Sequence, residues 1–101
     1  LIAKFCKDNE INRLIYTSTV AVYGNTANGI LDENSRINPD SIYGVSKYSG
    51  EMFIRQMLQN SKTKHTIFRV FNTYGPGENL SFQKKGMVSI YISFLWKNKP
   101  T

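Results

Sequence analysis

The sequence predicts an α/β fold built on a parallel sheet. Helix-period and strand-period apolar patterns alternate along the chain, and each strand pattern is followed by a long polar loop. Strands that alternate with helices need crossover connections, and crossovers make neighbouring strands parallel.

In chain order, Leu1–Asn9 reads as the end of an amphipathic helix, with Leu1, Ile2, Phe5 and Cys6 on its apolar side. Asp8, Asn9 and Asn12 break it. Arg13–Thr17 contains Leu14-Ile15-Tyr16, an apolar run suited to a strand buried on both faces. Residues 18–41 form a polar loop rich in Asn, Gly and Ser, and a loop that long inside a compact domain is usually functional. Ile42–Ser61 is the strongest helix pattern, with Phe53, Ile54, Met57 and Leu58 on one face and Arg55, Gln56 and Gln59 on the other. Gly50 falls in its apolar sector, where a missing side chain would let helix and sheet approach closely. Thr66–Phe71 is the second strand, and 72–85 a second loop, broken by Gly75-Pro76-Gly77. Met87–Trp96 is a last helix, with Met87, Ile90, Tyr91, Phe94 and Leu95 at helical spacing. Both long loops leave the carboxyl ends of strands, where open α/β sheets bind ligands, so the expected site lies at residues 17–43 and 71–85.

Composition narrows the class. The chain has 101 residues, 41% of them hydrophobic and 13% aromatic, which suits one small globular domain. The net charge of +6 comes from scattered Lys and Arg; short pairs such as Lys62/Lys64, Lys84/Lys85 and Lys97/Lys99 read as solvated surface, not as a nucleic-acid stripe. Cys6 is the single cysteine, so no intrachain disulfide can form, which fits a reducing, cytoplasmic setting. No run approaches the length of a membrane span, and no partner membrane or bound metal is expected. The chain opens on Leu1 in mid-helix and closes on a linker-like Lys97–Thr101, so a fragment of a longer protein is expected.

Three constellations could carry chemistry. The first is Tyr43-Gly44-Val45-Ser46-Lys47. Residues four apart on a helix share a face, and this pair falls in the sector of Ile54 and Leu58. A free phenol, with a pKa of about 10, is a poor base at neutral pH; a nearby ammonium favours the phenolate, which can then abstract a hydroxyl proton. Alone, Tyr-x-x-x-Lys is a weak signal that also fits an exposed helix start. The second is Thr17-Ser18-Thr19, continued by Val20-Ala21-Val22-Tyr23-Gly24. Its hydroxyls could bind a substrate oxygen, although local bonds to the backbone are the commoner use. The third is Arg69-Val70-Phe71-Asn72-Thr73-Tyr74-Gly75-Pro76-Gly77, where Asn72 could both donate and accept. Arg69, inside a strand, fits a structural ion pair better than a ligand contact.

Together, with Tyr43 lying 24 residues after Thr19, these motifs resemble the extended short-chain dehydrogenase/reductases, and within them the NAD-dependent epimerase/dehydratase family that acts on nucleotide sugars. Asn38-Pro39 and Ser46 fit as well. The resemblance implies a Rossmann-like, doubly wound parallel sheet of which only the middle-to-late strands and helices are present. Residues 1–101 would form a partial NAD(P)-binding domain with the catalytic helix, lacking the N-terminal cofactor-binding strands and the C-terminal substrate region. It also implies that Tyr43, Lys47 and Thr19 are catalytic and that Thr17, Ser18, Tyr43, Lys47 and Phe71 meet the cofactor. Thr19, Tyr43 and Asn72 would meet the substrate, and the loop running to Met87-Val88-Ser89 would cover it. The cofactor would be NAD, with NADP not distinguished; the substrate a nucleotide sugar, most commonly UDP-linked; and the full-length protein a homodimer.

Two departures refine this. The family's dehydratases carry Asp-Glu after the Thr, where this chain has Val20 and Ala21; neither can move a proton. Epimerisation, at C4 in the first instance, is therefore expected over elimination, with a 4-reductase, a dehydratase or a non-catalytic NAD(P)-binding regulator as alternatives. The family's Gly-x-x-Gly-x-x-Gly turn, which binds pyrophosphate at a helix N-terminus, does not occur in the sequence, so the chain by itself is expected to be inactive.

Overall fold

The structure, a computed structural model, describes residues 1–25, 29–77 and 87–96. The chain forms two compact units, Leu1–Val70 and Phe71–Thr101.

The first unit runs α1 (Ile2–Asp8), β1 (Arg13–Thr19), a 3-10 turn (Val20–Val22), α2 (Ile42–Leu58) and β2 (Lys64–Val70). The two strands pair in parallel, with Arg13 opposite Lys64 and Thr19 opposite Val70. This is a β-α-β unit whose crossover is α2, as the alternating pattern predicts. The Ser41 hydroxyl caps α2 by accepting the Gly44 N–H at 3.0 Å, which satisfies one of the orphan amides of the first turn. The helix ends at Leu58, three residues before the expected Ser61, because the chain turns at Asn60, with φ of 60°; Asn tolerates the left-handed region better than most residues. β1 extends to Thr19 and β2 occupies Lys64–Val70, so both strands are longer than the apolar runs alone.

Ala3, Ile54 and Leu58 form the core, and Leu14, Tyr16 and Met57 pack against it. All six lie on one side of the sheet. The opposite face is open: Ile15 is 59% and Phe68 54% exposed, so the expectation of a strand buried on both faces is corrected to one covered face. Helix orientation is corrected twice. In α1, Ala3 and Cys6 turn inward while Leu1, Ile2 and Phe5 are exposed. In α2, Phe53 is exposed; at about 100° per residue it stands roughly 120° around the helix from Lys47, off the inner stripe. The Thr63 hydroxyl donates to the Cys6 carbonyl at 3.0 Å, tying α1 to the start of β2.

In the second unit, Phe71–Gly77 is irregular and exposed. Gly77 has φ of 89°, a conformation that requires glycine at the end of Gly-Pro-Gly. Helix α3 spans Met87–Trp96, and its Ser93 hydroxyl donates to the Ile90 carbonyl at 2.8 Å. The stretch before Met87 that was expected to cover the substrate, the Lys84/Lys85 and Lys97/Lys99 pairs and the last residues lie outside the described residues. Among the described residues, no helix is long and apolar enough to cross a membrane.

Candidate active site

The carboxyl end of β1 and the first turns of α2 meet because α2 has little side chain where they touch. A Cβ on Gly44 would stand 2.6 Å from the Ala21 carbonyl oxygen. A Cβ on Gly50 would overlap the Tyr16 hydroxyl, which makes Gly50 the close-approach position that the sequence predicts.

This docking gathers Thr17, Ser18, Thr19, Tyr43 and Lys47 at one end of the first unit. Tyr43 is 56% exposed, unlike the buried Ile54 and Leu58 whose sector it was expected to share, so the inner stripe is left open at the helix start. Lys47 is partly buried. Its Nζ donates to the Thr17 carbonyl at 2.9 Å, and it lies 5.2 Å from the ring centroid of Tyr16 and 5.9 Å from that of Tyr43. Both distances allow cation–π attraction. The ammonium thus stands beside the phenol-bearing ring, as the Tyr-x-x-x-Lys spacing requires, and retains N–H groups beyond the one bound to Thr17.

Thr19 is buried, and its Oγ1 accepts the Ala21 N–H at 3.2 Å. That is the local backbone role weighed above; it uses a lone pair of the hydroxyl and leaves its proton to donate. The Ser18 hydroxyl donates to Glu51 Oε1 at 2.5 Å, so its side chain points under α2. Phe71 and Asn72, the remaining predicted site residues, open the second unit, and both are exposed.

Beneath the site lies a polar network that joins Ser18 and Arg69 through Glu51. Glu51 is completely buried. Arg69 Nε donates to Glu51 Oε1 at 3.0 Å and Arg69 Nη2 to Glu51 Oε2 at 2.8 Å, a two-pronged contact of the strong class. Arg69 Nη1 donates to the Tyr23 hydroxyl at 2.9 Å and to the Glu33 carbonyl at 3.2 Å. The Tyr23 hydroxyl in turn donates to the Asp32 carbonyl at 2.8 Å. Arg69 is therefore the structural ion-pair residue expected of it. Burial pushes the Glu51 carboxyl pKa up, but hydrogen bonds from Arg69 and Ser18 and the Arg69 charge outweigh that, and the net shift is down. The Glu51 hydrogen bond raises Arg69 further above its usual value, against the opposing effect of burial.

Sequence reasoning missed Glu51, Tyr23 and Tyr16. For Glu51 a signal existed. It sits four residues after Lys47, on the same inner stripe, and a carboxylate there must find a cation. Among the described residues, no group of three or more His, Cys, Asp or Glu side chains is placed to hold a metal ion.

Comparison with known proteins gives a consistent picture. Residues 1–100 match the family model described as the NAD dependent epimerase/dehydratase family. The chain is 35% identical, over 77% of its length, to an ADP-L-glycero-D-manno-heptose-6-epimerase of Brachyspira hyodysenteriae, covering 25% of that protein. It is 33% identical, over 97% of its length, to a putative UDP-glucose 4-epimerase of Methanocaldococcus jannaschii, covering 32% of it. The chain therefore spans a quarter to a third of these relatives. Among solved structures, it superposes with a TM-score of 0.82 on a UDP-N-acetylglucosamine 4-epimerase from Methanobrevibacter ruminantium in complex with UDP-N-acetylmuramic acid, at 28% identity over 93% of this chain and 30% of that one. It also superposes with a TM-score of 0.82 on a UDP-glucuronic acid 4-epimerase from Bacillus cereus in complex with NAD, at 29% identity over 98% of this chain and 31% of that one.

Proposed function

The chain belongs to the NAD dependent epimerase/dehydratase family, and from that premise we propose that the complete protein is an NAD-dependent nucleotide-sugar epimerase that inverts a sugar carbon, C4 in the first instance, with Tyr43 as acid and base. The observation that carries this reading is the Lys47 ammonium, 5.9 Å from the Tyr43 ring centroid and anchored on the Thr17 carbonyl at the end of β1.

The residues fit a dinucleotide's nicotinamide ribose. Lys47 spends one N–H on Thr17 and has others for ribose hydroxyls. Ser18 has its hydroxyl committed to Glu51, so what it offers a cofactor is backbone. Thr17, Tyr43 and Phe71 complete the set proposed to meet the cofactor. NAD, when bound, supplies the redox chemistry at the sugar carbon. Tyr43, as phenolate, takes the proton of the reacting sugar hydroxyl and later returns it. Lys47 stabilises that phenolate electrostatically. Thr19 donates its hydroxyl proton to the reacting oxygen and holds it through both steps, and Asn72 binds the sugar. Val20 and Ala21 carry no acid or base, which favours inversion over loss of water. A UDP-linked substrate is supported by the relatives and neighbours named for UDP-sugars.

The test is direct. The complete protein is incubated with NAD and a panel of UDP-hexoses and UDP-N-acetylhexosamines, and C4 inversion is followed by proton NMR. Inversion without net NADH, abolished by Tyr43→Phe, is the expected result. Consumption of added NAD(P)H with a 4-keto sugar and no inversion would replace the epimerase reading with a reductase. A Tyr43→Phe protein with near-normal turnover would remove Tyr43 from the mechanism.

A further inference from the structure

We propose that Glu51 is a positioning residue for the Thr17–Thr19 strand end, acting through the Ser18 hydroxyl; the inference rests on reading Tyr43, Lys47 and Thr19 as the reacting groups.

Helix α2 grips three consecutive residues of β1. The Tyr16 hydroxyl donates to the Lys47 carbonyl in a long bond of 3.4 Å. Lys47 Nζ donates to the Thr17 carbonyl at 2.9 Å. The Ser18 hydroxyl donates to Glu51 Oε1 at 2.5 Å. The first two contacts run through Lys47, whose ammonium is also needed for the proton transfer. Only the third is independent of the reacting groups, and it is the shortest and most buried.

Glu51 is well suited to hold a fixed direction. Arg69 binds both its oxygens from one side, so the carboxylate cannot rotate without breaking that pair. The Arg55 guanidinium stands 3.9 Å from Oε2 as a weaker second cation. A buried ion pair is a poor way to gain stability, since apolar side chains of similar volume often do as well or better. What this one adds is orientation: it aims Oε1 at Ser18. Along a strand, successive side chains alternate between faces, so pinning Ser18 to the helix side fixes Thr17 and Thr19 toward the other. Tyr43 rides the same rigid helix, about 12 Å along its axis from Glu51 at about 1.5 Å per residue. The helix therefore carries the proposed base at one point and, two turns on, the clamp that registers the Thr19 strand end against it.

Two variants of the complete protein separate positioning from mere support. Ser18→Ala deletes the clamp but leaves the Glu51–Arg69 pair. It is expected to lose less melting temperature than Glu51→Gln, since it removes one buried hydrogen bond to a carboxylate that keeps its Arg69 partner, and to keep its affinity for NAD and its KM for the sugar nucleotide, while kcat falls about ten- to a hundred-fold, the scale of a small misplacement of reacting groups. Glu51→Gln weakens the ion pair but keeps an amide oxygen that can accept from Ser18, so it should lose melting temperature and yet retain more kcat than Ser18→Ala. This crossed pattern is not produced by a residue that only stabilises the fold. The inference is overturned by a Ser18→Ala enzyme with kcat within about twofold of the parent. It is also overturned by one whose only defect is weaker NAD binding, which would make Ser18 a direct cofactor contact. Tyr43→Phe is measured alongside: if it is inactive while Ser18→Ala is normal, only the positioning role falls; if it is active, the reading of the reacting groups falls and the positioning role with it.

Discussion

Arg69 and Glu51 form a two-pronged ion pair between β2 and α2, with contacts of 3.0 and 2.8 Å to the two carboxylate oxygens and with the Glu51 side chain wholly buried. Through Tyr23 and Glu33 the same guanidinium also holds the segment that follows the 3-10 turn. One side chain thus joins a strand, a helix and a loop beneath the end of the sheet where Tyr43 and Lys47 sit.

Removing one partner of such a pair leaves the other charge buried without full compensation. Arg69→Met in the complete protein is expected to cost about 3–5 kcal/mol of stability, read by chemical denaturation. Glu51→Gln should cost less, because the amide oxygen still accepts from Arg69 and Ser18. Equal and small losses for both variants would show that the pair is idle.

The pair also sets an acid limb. The Glu51 carboxyl is held below its ordinary value of 4.5. A carboxyl whose folded pKa is depressed contributes stability that is fully present above the unfolded value and is lost as pH falls through the lower, folded value. Stability should therefore be flat above about pH 4.5 for this group, decline as pH drops below it, and decline less steeply in Glu51→Gln. Arg69 is shifted further up and stays charged throughout, so it adds nothing to that slope. A Glu51→Gln protein with an unchanged acid limb would assign the slope to other carboxylates, such as the exposed Asp32, which a hydrogen bond from Ser35 also holds low.

Gly44→Ala tests the docking of the helix start. In an open helix this change would stabilise by up to about 1 kcal/mol. Here the new Cβ would meet the Ala21 carbonyl at 2.6 Å and the Pro39 and Ser41 side chains at 3.1 Å, and backbone cannot simply rotate away. The expected result is a net loss of about 1–3 kcal/mol together with a drop in kcat, since Tyr43 is the neighbouring residue. A gain in thermal stability would mean that α2 stands farther from the 3-10 turn than the structure has it.

The sequence made the frame and the meeting of Tyr43 with Lys47 readable for a simple reason: both depend on local spacing. Tyr43 and Lys47 share a face because helix geometry leaves no alternative at four residues apart. Arg69 was readable as an ion-pair residue because a charge inside a strand must be answered. Its partner could be seen to need a cation, lying four residues after Lys47 on the inner stripe, but not which one, since the contact joins positions 51 and 69 across the fold. Ile15 and Phe53 went wrong in the opposite direction. An apolar side chain states that burial is favourable, not that this chain supplies the cover, and both are more than half exposed.

Lys47 offers the sharpest check on the proposed chemistry. Its Nζ holds the Thr17 carbonyl and lies over the rings of Tyr16 and Tyr43, so a replacement can be chosen to keep the stem and delete the ammonium, with its charge and its hydrogen bond to Thr17. Lys47→Met should fold and should lose about a hundred-fold or more in kcat at neutral pH, the usual scale for impairing an acid–base group. Lys47→Arg keeps the charge but spreads it over a planar fork, which suits the single Thr17 carbonyl poorly; it should recover some turnover at neutral pH without restoring the parent rate. A Lys47→Met enzyme with a near-normal kcat and only a raised KM for NAD would confine Lys47 to binding the cofactor and holding the end of β1.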